Sequence, residues 1–386
     1  MRILYISSTN SLSGSSMALL NIIKNMKSLG HETFVVTSRE DGYFIDQLKE
    51  IKCGYKRLNL TLDTYPLRKD IILYIPRIIW MLIRHFRGVR TIVNTIQEFH
   101  PDIVHTNVGP LSIGYEACRQ TGTKHIWHQR EYQDKDFGMH FFPNIRSFMR
   151  KSHDDNNFNI CITNGIFNYR HFREDKDVVI YDGVMSEKNI ALLPPRHEED
   201  YILFVGRIEE AKGLYDVLLA FGEYQKTNSH TVLKVVGDTP KHATAYAKKC
   251  HDFVETNHFQ EKVIFVGQSK DVFTFMAHAK MMIVASQFEG FGFITAEAMF
   301  NGCPVIGRDT GGTKEQFDNG QKLTGKEIGI RFTTHDELVQ AMEYATNNDM
   351  TDMCQRAKDT VTQLYTVEKN VKRVEAFYLR VLNAGL

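Results

Sequence analysis

The 386-residue sequence lacks most of the features that would place a protein in a specialised class. Its six cysteines are scattered, with no C-x-x-C pair and no metal-ligand spacing, which argues against a disulfide framework and a zinc site. No apolar run reaches the roughly 18 residues that a membrane-spanning helix requires. The formal net charge of +1 argues against a dedicated nucleic-acid binder. A G-x-G-x-x-G fingerprint is also missing, which counts against an oxidoreductase.

The first residues and the cysteines indicate a compartment. The apolar run Met1–Ile6 leads directly into a polar loop, so we expect a first β-strand here and not a signal peptide. Cysteines in apolar surroundings are typical of reduced core residues. We therefore expect a cytoplasmic protein, located at the inner face of the cytoplasmic membrane if it makes the membrane contact considered below.

Short strand-like runs alternate with helical patterns along the chain. This alternation predicts an α/β protein with helices on both faces of parallel sheets. A chain of 386 residues exceeds what one core usually supports, so we expect two domains, with a hinge in the proline-containing stretch Leu193–Asp200. A helical pattern closes the chain from about Asp336 to Leu382. The predicted strands lie near residues 3–6, 33–37, 103–105, 125–128, 159–162, 178–181, 201–205, 232–236, 263–266, 281–285, 305–307 and 329–332.

Two carboxylates eight residues apart, Glu289 and Glu297, form the most informative pattern. The apolar run 281–285 predicts a buried parallel strand before them, and residues 295–300 predict the start of a helix. The glycines between the two acids allow the backbone to approach a ligand closely. Both acids are then expected at the carboxyl edge of a parallel sheet, where such sheets bind ligands. Taken alone, a glutamate pair at this spacing is better explained by an acidic surface loop before an ordinary helix, because charged residues are mostly solvated.

A second pattern follows the first predicted strand of the C-terminal half. Arg207 and Lys212 lie in the loop Gly206–Gly213, directly after the apolar run 201–205. Two cations beside a helix start are suited to an anionic group such as a diphosphate. Without the downstream acids, both would be interpreted as solvated surface residues.

Together these stretches resemble the donor-site signature of retaining glycosyltransferases with the GT-B fold, in glycosyltransferase family 4 (glycosyl transferases group 1). The matching elements are Glu-Gly-Phe-Gly at 289–292, Glu297, the Gly-x-Pro-Val-Ile run at 302–306, and the Gly-Gly loop at 311–312 followed by Glu315. The resemblance implies two doubly wound Rossmann-like domains facing each other across a cleft. Residues 1–192 would bind the acceptor, 193–365 the donor, and a C-terminal helix at 366–386 would pack back on the first domain.

The resemblance also implies roles in binding the donor. Arg207 and Lys212 would hold the diphosphate, Glu297 the ribose hydroxyls and Glu289 the sugar hydroxyls. Gly14 belongs to a loop, residues 11–16, that would close over the donor phosphate, although it has one glycine where two adjacent glycines are frequent. The remaining donor-side residues are Gly206, Gly237, Gln268, Gly290, Phe291, Gly292 and Phe293.

On the acceptor side, residues 102–107 resemble the family's D-V-V-H-x-H strand end, with His105 retained and Asn107 in place of the second histidine. His128, Arg130 and Glu131 follow the next predicted strand, and His128 is a candidate catalytic residue. The family's retaining chemistry needs no strong enzymic base, because the leaving phosphate takes the acceptor's proton. Asn107 therefore does not argue for an inactive protein.

The implied reaction moves a sugar from a nucleoside-diphosphate sugar to a glycan or lipid-linked acceptor with retention, in cell-surface polysaccharide biosynthesis. A UDP-sugar is favoured, with a GDP-sugar as the alternative donor. No cofactor and no required metal are expected, because the D-x-D sequences at 134–136 and 175–177 are interpreted as solvated turns. The alternatives are a nucleotide-sugar epimerase on the same fold and a non-catalytic GT-B sugar-binding protein.

One segment leaves two interpretations open. Residues 68–90 combine arginines and a lysine with a strongly apolar run that includes a tryptophan. Such a composition suits a helix at the surface of an anionic membrane. The commoner structure, which we favour from the sequence, is a helix buried against the sheet with a solvated basic edge.

Overall fold

A computed structural model describes residues 1–8, 14–65 and 71–384, except for the side chains of residues 71–73 and 137. The chain divides into two compact units. Unit 1 comprises Met1–Gly183 and Val367–Leu386, and unit 2 comprises Val184–Thr366. The chain thus leaves unit 1 after Gly183 and returns to it after Thr366.

The described part of unit 1 contains seven parallel strands in the order β3-β2-β1-β4-β5-β6-β7. Its central strands are apolar throughout because both faces of the sheet are covered, as the full burial of Ile3, Leu4, Tyr5 and Ile6 shows. The strands are β1 Arg2–Ser7, β2 Glu32–Thr37, β3 Gly54–Arg57, β4 Ile103–Asn107, β5 Lys124–Gln129, β6 Asn157–Cys161 and β7 Val178–Val179. The helices are α1 Gly14–Ser28, α2 Tyr43–Glu50, α3 Ile71–Phe99, α4 Ile113–Thr121, α5 Asp134–Phe137, α6 Ile145–Ser152 and α7 Asn164–Tyr169.

Unit 2, whose residues are all described, contains six parallel strands in the order β10-β9-β8-β11-β12-β13. The strands are β8 Glu199–Val205, β9 Val232–Val236, β10 Val263–Gly267, β11 Ala279–Val284, β12 Val305–Arg308 and β13 Ile330–Phe332. The helices are α8 Glu187–Ile190, α9 Leu214–Tyr224, α10 Thr244–Thr256, α11 Val272–His278, α12 Phe293–Phe300, α13 Gly311–Thr324, α14 His335–Asn347 and α15 Thr351–Leu364, with 3₁₀ turns at Glu210–Lys212 and Lys241–Ala243.

The last helix, α16 (Val367–Asn383), belongs to unit 1 although it follows unit 2 in the chain. Its apolar face, including Val374 and Phe377, lies in the same core cluster as Ile3 of β1 and Leu19 of α1. Burial of this face joins the end of the chain to its beginning.

The predicted fold class is confirmed: both units are parallel sheets covered by helices. In each unit the first and fourth strands along the chain are neighbours at the centre of the sheet, and the winding direction reverses between them. The carboxyl ends of these two strands mark the edge where ligands bind in such sheets. They are β1 and β4 in unit 1, and β8 and β11 in unit 2.

The structure differs from the favoured interpretation of residues 68–90. Residues 68–70 lie outside the described part, and the rest forms the first turns of α3. Met81 and Val89 in these turns are buried, but several large apolar side chains, among them Ile75 and Phe86, are exposed. This part of the helix therefore packs through one face and has a second apolar face that is exposed, where a solvated basic edge was predicted. Within residues 1–8, 14–65 and 71–384, no helix has both the length and the apolar character needed to cross a bilayer.

Candidate functional site

The loops that follow β8 and β11 are joined at the carboxyl edge of the unit 2 sheet. The backbone N–H of Gln287 donates to the carbonyl oxygen of Ala211 at 2.9 Å. Gly213 has a φ of +73°, and a Cβ atom at this position would lie 2.3 Å from the carbonyl oxygen of Ala285. Only glycine therefore allows both the left-handed conformation and this close approach of the two loops.

Lys212 and Glu289 form an ion pair between these loops. The Lys212 Nζ atom lies 2.6 Å from Glu289 Oε1, and the Ser286 hydroxyl donates to the same oxygen at 2.7 Å. The side chains of Lys212 and Glu289 are 25% and 17% exposed. In the part of the chain that the structure describes, Glu289 Oε2 accepts no hydrogen bond, so the pair can still contact a ligand.

Arg207 belongs to a separate group on the loop after β8. Its guanidinium lies 2.7 Å from Glu209 Oε1, and the second oxygen of Glu209 lies 3.3 Å from His242 Nε2. Glu209 is buried, whereas the side chain of Arg207 is 57% exposed. Arg207 is thus anchored on one side and open to an anion on the other.

The loop between β11 and α12, residues 285–292, is held against the start of α13. We call it the acidic loop because it carries Glu289. The backbone N–H of Gly312 donates to the Glu289 carbonyl oxygen at 2.8 Å, and Gln316 Nε2 donates to the carbonyl oxygens of Phe291 and Gly292 at 2.7 and 3.0 Å. A Cβ atom on Gly312 would lie 2.1 Å from the Phe291 carbonyl oxygen. These contacts fix the backbone between the two acids before any ligand binds.

Glu297, in the first turns of α12, has a carboxyl without a partner. It makes no ion pair and no side-chain hydrogen bond to any residue that the structure describes. Burial alone raises its pKa from 4.5 to about 7. A partly buried carboxyl without a partner is costly in the free protein, and hydroxyl donors from a ligand would offset that cost.

The other predicted donor-side residues lie at the same edge. Gly206 and Gly237 follow β8 and β9 in backbone contact, since a Cβ on Gly237 would lie 2.0 Å from the Gly206 carbonyl oxygen. Gln268 follows β10 and is exposed. The Phe291 side chain is buried, with its ring centroid 5.3 Å from those of Phe293 and Tyr365. Gly290 and Gly292 lie in the acidic loop beside it.

We expect Gly213→Ala to destabilise unit 2 more than Gly325→Ala does. Gly325 has nearly the same φ, +72°, but no described atom lies within 4 Å of its added Cβ. The Gly325 variant should therefore lose about 1–2 kcal/mol for the left-handed conformation alone. The Gly213 variant should lose about 1–3 kcal/mol more through its clash with Ala285. Urea unfolding followed by circular dichroism measures both, and equal losses would contradict the close approach.

In unit 1, the predicted loop at 11–16 is described only from Gly14 onward. Residues 11–13 lie outside the described residues. Gly14 is exposed and begins α1, close in sequence to the end of β1. This places it near the carboxyl edge of the unit 1 sheet.

The predicted acceptor-side residues form a buried polar network on the ends of β4 and β5. Arg130 donates to Asn107 Oδ1 at 2.5 Å and to both carboxylate oxygens of Asp182 at 2.5 and 2.6 Å. His128 Nδ1 lies 3.2 Å from His105 Nε2, and His105 Nδ1 lies 2.6 Å from the hydroxyl of Tyr378 on α16. All of these side chains are at most 2% exposed.

The charges of this network are balanced by Asp182. Burial, and then the nearby guanidinium of Arg130, lowers the pKa of His105 and His128 well below the ordinary value, so both rings are neutral at pH 7. Burial also raises the pKa of the Asp182 carboxyl, and Arg130 opposes that shift. Among the described residues, His128 Nε2 is a buried atom with no hydrogen-bond partner. Sequence reasoning missed Asp182, whose one signal is its position just after the predicted strand at 178–181.

Glu131 lies beside this network and is less deeply buried. It accepts a hydrogen bond from Gln133 Nε2 at 2.6 Å. Burial, and then repulsion from Asp136, raises its pKa to about 7. Glu131 can therefore hold or release a proton near neutral pH, unlike an ordinary surface carboxylate.

The interpretation of the two D-x-D sequences as solvated turns is wrong for Asp177. This carboxylate is buried and accepts from the Asn159 backbone at 2.8 Å, the Asn159 side chain at 2.9 Å and the Arg173 backbone at 3.0 Å. Asp136 is partly buried and accepts from the Tyr132 backbone at 2.8 Å. Both therefore stabilise local backbone. In the described ranges, no group of three or more His, Cys, Asp or Glu side chains is placed to hold a metal ion.

Sequence comparison associates unit 2 with a known family. Residues 185–363 match the family model described as "Glycosyl transferases group 1". Over 251 residues the chain is 24% identical to N-acetyl-alpha-D-glucosaminyl L-malate synthase of Bacillus anthracis. The aligned region covers 62% of this chain and 64% of the synthase. The chain thus spans slightly less than two thirds of that curated relative.

Structural comparison extends the likeness to both units. The structure of Anabaena Alr3699/HepE in complex with UDP and glucose matches with a TM-score of 0.73 and 18% identity, over 97% of this chain and 98% of that one. A glycosyltransferase from Rickettsia africae matches with a TM-score of 0.76 and 18% identity, over 99% of this chain and 98% of that one. Identity this low establishes the fold alone. The family match therefore concerns residues 185–363 of unit 2, whereas the structural matches show that the whole chain has the GT-B fold.

Proposed function

We propose that the protein is a retaining glycosyltransferase of family 4, which transfers a sugar from a nucleoside-diphosphate sugar to an acceptor. The observation that carries the proposal is the Lys212–Glu289 pair, held at 2.6 Å between the loops after β8 and β11. The carboxyl of Glu297, which has no partner among the described residues, lies in the helix that continues the same loop. A cation, a sugar-facing carboxylate and a ribose-facing carboxylate are the groups that binding such a donor requires.

The two cations account for the leaving group. As the bond between the sugar and the diphosphate breaks, negative charge grows on the phosphate oxygens. Lys212 supplies a point charge from a partly buried position, and Arg207 can bind two phosphate oxygens with its exposed guanidinium. Because these side chains provide the positive charge, the proposed reaction requires no divalent cation and no other cofactor.

Retention follows if the acceptor attacks from the face that the leaving phosphate vacates. The phosphate then takes the acceptor's proton, so no strong enzymic base is needed. In the proposal, His128 contributes the network's buried unpartnered atom, Nε2, as a hydrogen-bonding group on the acceptor side. Arg130, Asn107 and His105 hold that ring in position, and Glu131 contacts acceptor hydroxyls.

For the donor we propose a UDP-sugar, with a GDP-sugar as the alternative. Support comes from the fold shared with the Anabaena protein, whose structure contains UDP and glucose. The proposed acceptor is a glycan or a lipid-linked glycan in cell-surface polysaccharide biosynthesis. Product analysis distinguishes this reaction from that of a nucleotide-sugar epimerase, which would convert the donor into an epimeric nucleotide sugar without an acceptor.

The test is the binding of UDP to wild-type protein and to Glu297→Gln, measured by calorimetry across pH 5–9. Ribose hydroxyls donate to the ionised carboxylate, so binding should release its proton and tighten as pH rises through about 7. A glutamine side chain cannot ionise, so the variant should bind UDP roughly tenfold or more weakly at high pH and lose that dependence.

The raised pKa of Glu297 also predicts how the stability of the free protein depends on pH. Glu297 has a folded pKa of about 7 against an ordinary 4.5, so the folded state binds more protons between these values. Its contribution to stability is therefore highest below pH 4.5 and falls as pH rises to about 7.

The control for the UDP-binding experiment is Glu223→Gln, which changes an ion-paired residue at the far end of α9. Equal UDP affinity in all three proteins would contradict the proposed donor site.

A further inference from the structure

The first half of α3 has a stripe of exposed apolar side chains. Ile75, Ile79, Ile83 and Phe86 are 68%, 53%, 43% and 69% exposed. At 100° per residue these four positions fall within an arc of about 80° on the helix surface. Trp80, which is 53% exposed, lies about 60° beyond that arc. We call these five residues the α3 stripe. Apolar patches of this kind mark surfaces that bind something.

The stripe is not a part of the core that happens to be accessible. A different face of α3 performs the packing, with Met81, Val89, Ile92 and Ile96 all buried. The last three lie in the core cluster on one face of the unit 1 sheet. The helix therefore has apolar side chains on two faces, and the face that carries the stripe lies outside the buried core of unit 1.

The charged side chains on this half of α3 itself are all cationic. Arg77, Arg84, Arg87 and Arg90 lie among and after its residues, whereas the first acidic residue of α3 is Glu98. The Arg84 guanidinium stacks on the Trp80 ring, 2.9 Å from its centroid. Arg87 and Arg90 are exposed. The stripe is thus an apolar surface with a cationic border, which fits a partner that is apolar inside and anionic outside.

We infer that the α3 stripe docks unit 1 on an anionic lipid bilayer. The aliphatic and aromatic side chains enter the boundary between headgroups and acyl chains, and the arginines contact lipid phosphates. A second copy of the chain fits less well, because two such stripes would bring eight arginines together. This inference goes beyond the proposed function and does not depend on it, since it concerns binding to lipid and not transfer of a sugar.

The test is co-sedimentation of the full chain with phosphatidylcholine vesicles, with and without phosphatidylglycerol. We expect binding to the vesicles that contain phosphatidylglycerol and little binding to the neutral ones. The paired change Ile79→Ser with Phe86→Ser, and separately Arg87→Glu with Arg90→Glu, should each reduce partitioning by roughly tenfold or more. The control pair, Leu323→Ser with Tyr344→Ser, changes side chains that are 44% and 51% exposed elsewhere and should bind as wild type.

Four outcomes would overturn the inference, the last of them a lowered melting temperature of the stripe variants. The first is absence of binding to the anionic vesicles, and the second is unchanged binding by the stripe variants. The third is a dimer in analytical ultracentrifugation that the Ile79 and Phe86 changes dissociate, because the stripe would then be a contact between copies. Thermal unfolding checks that these exposed residues can be replaced without loss of the fold. A lowered melting temperature would place the stripe in the core instead.

Discussion

Replacing Lys212 with alanine is expected to lower the kcat of sugar transfer by about a hundredfold to a thousandfold, while unit 2 stays folded. Removing one preorganised group that stabilises developing charge typically has an effect of this size. Lys212 is partly buried and is positioned by the Glu289 and Ser286 contacts, so solvent screens its charge less than that of a surface lysine. Its loss should therefore weaken the transition state more than it weakens donor binding.

The same sheet offers a matched control for this experiment. Lys280, at the start of β11, pairs with Asp200 at 2.8 Å and has a side chain that is 19% exposed. It resembles Lys212 in burial and pairing but lies at the amino edge of the sheet. Lys280→Ala should keep wild-type kcat. Wild-type turnover in Lys212→Ala, or equal losses in both variants, would contradict the assignment of Lys212 to the leaving group.

Much of the fold could be predicted because buried parallel strands have a strong sequence signal. Every predicted strand overlaps an observed one, since strands covered on both faces are continuous apolar runs. The missed strand, β3, has the sequence Gly-Tyr-Lys-Arg at the edge of the unit 1 sheet, where polar residues are tolerated. Its position depends on pairing with β2, which no local pattern reveals.

The candidate site was predictable in its residues but not in its contacts. Lys212 and Glu289 are 77 positions apart, and they meet because β8 and β11 are neighbours although two strands separate them in sequence. Asp182 was not predictable as the partner of Arg130, since a single acid after a weak strand has no distinguishing pattern. The α3 stripe was misjudged for a related reason. Composition cannot tell which apolar face of a helix meets the core.

Removing the carboxylate of Asp182 is expected to destabilise unit 1 by about 3–5 kcal/mol, because it leaves the Arg130 guanidinium buried and without its ion-pair partner. Both side chains of the pair are 1% exposed, so water cannot replace the lost contact without opening the structure. The two tryptophans of the chain, Trp80 and Trp127, belong to unit 1, so their fluorescence during urea unfolding of Asp182→Ala reports on this unit.

Two control variants test whether the loss of stability depends on the burial of the Arg130–Asp182 ion pair. Asp175→Ala removes an ion pair of 2.8 Å with Arg173 in the same unit, but these side chains are 69% and 49% exposed. Screening by water should make the effect of this change on stability small. The double variant Arg130→Met with Asp182→Leu removes both charges and should recover much of the lost stability. A loss for Asp182→Ala no larger than that for Asp175→Ala would mean that Arg130 finds another partner, and the rigid support proposed for His128 would then fail.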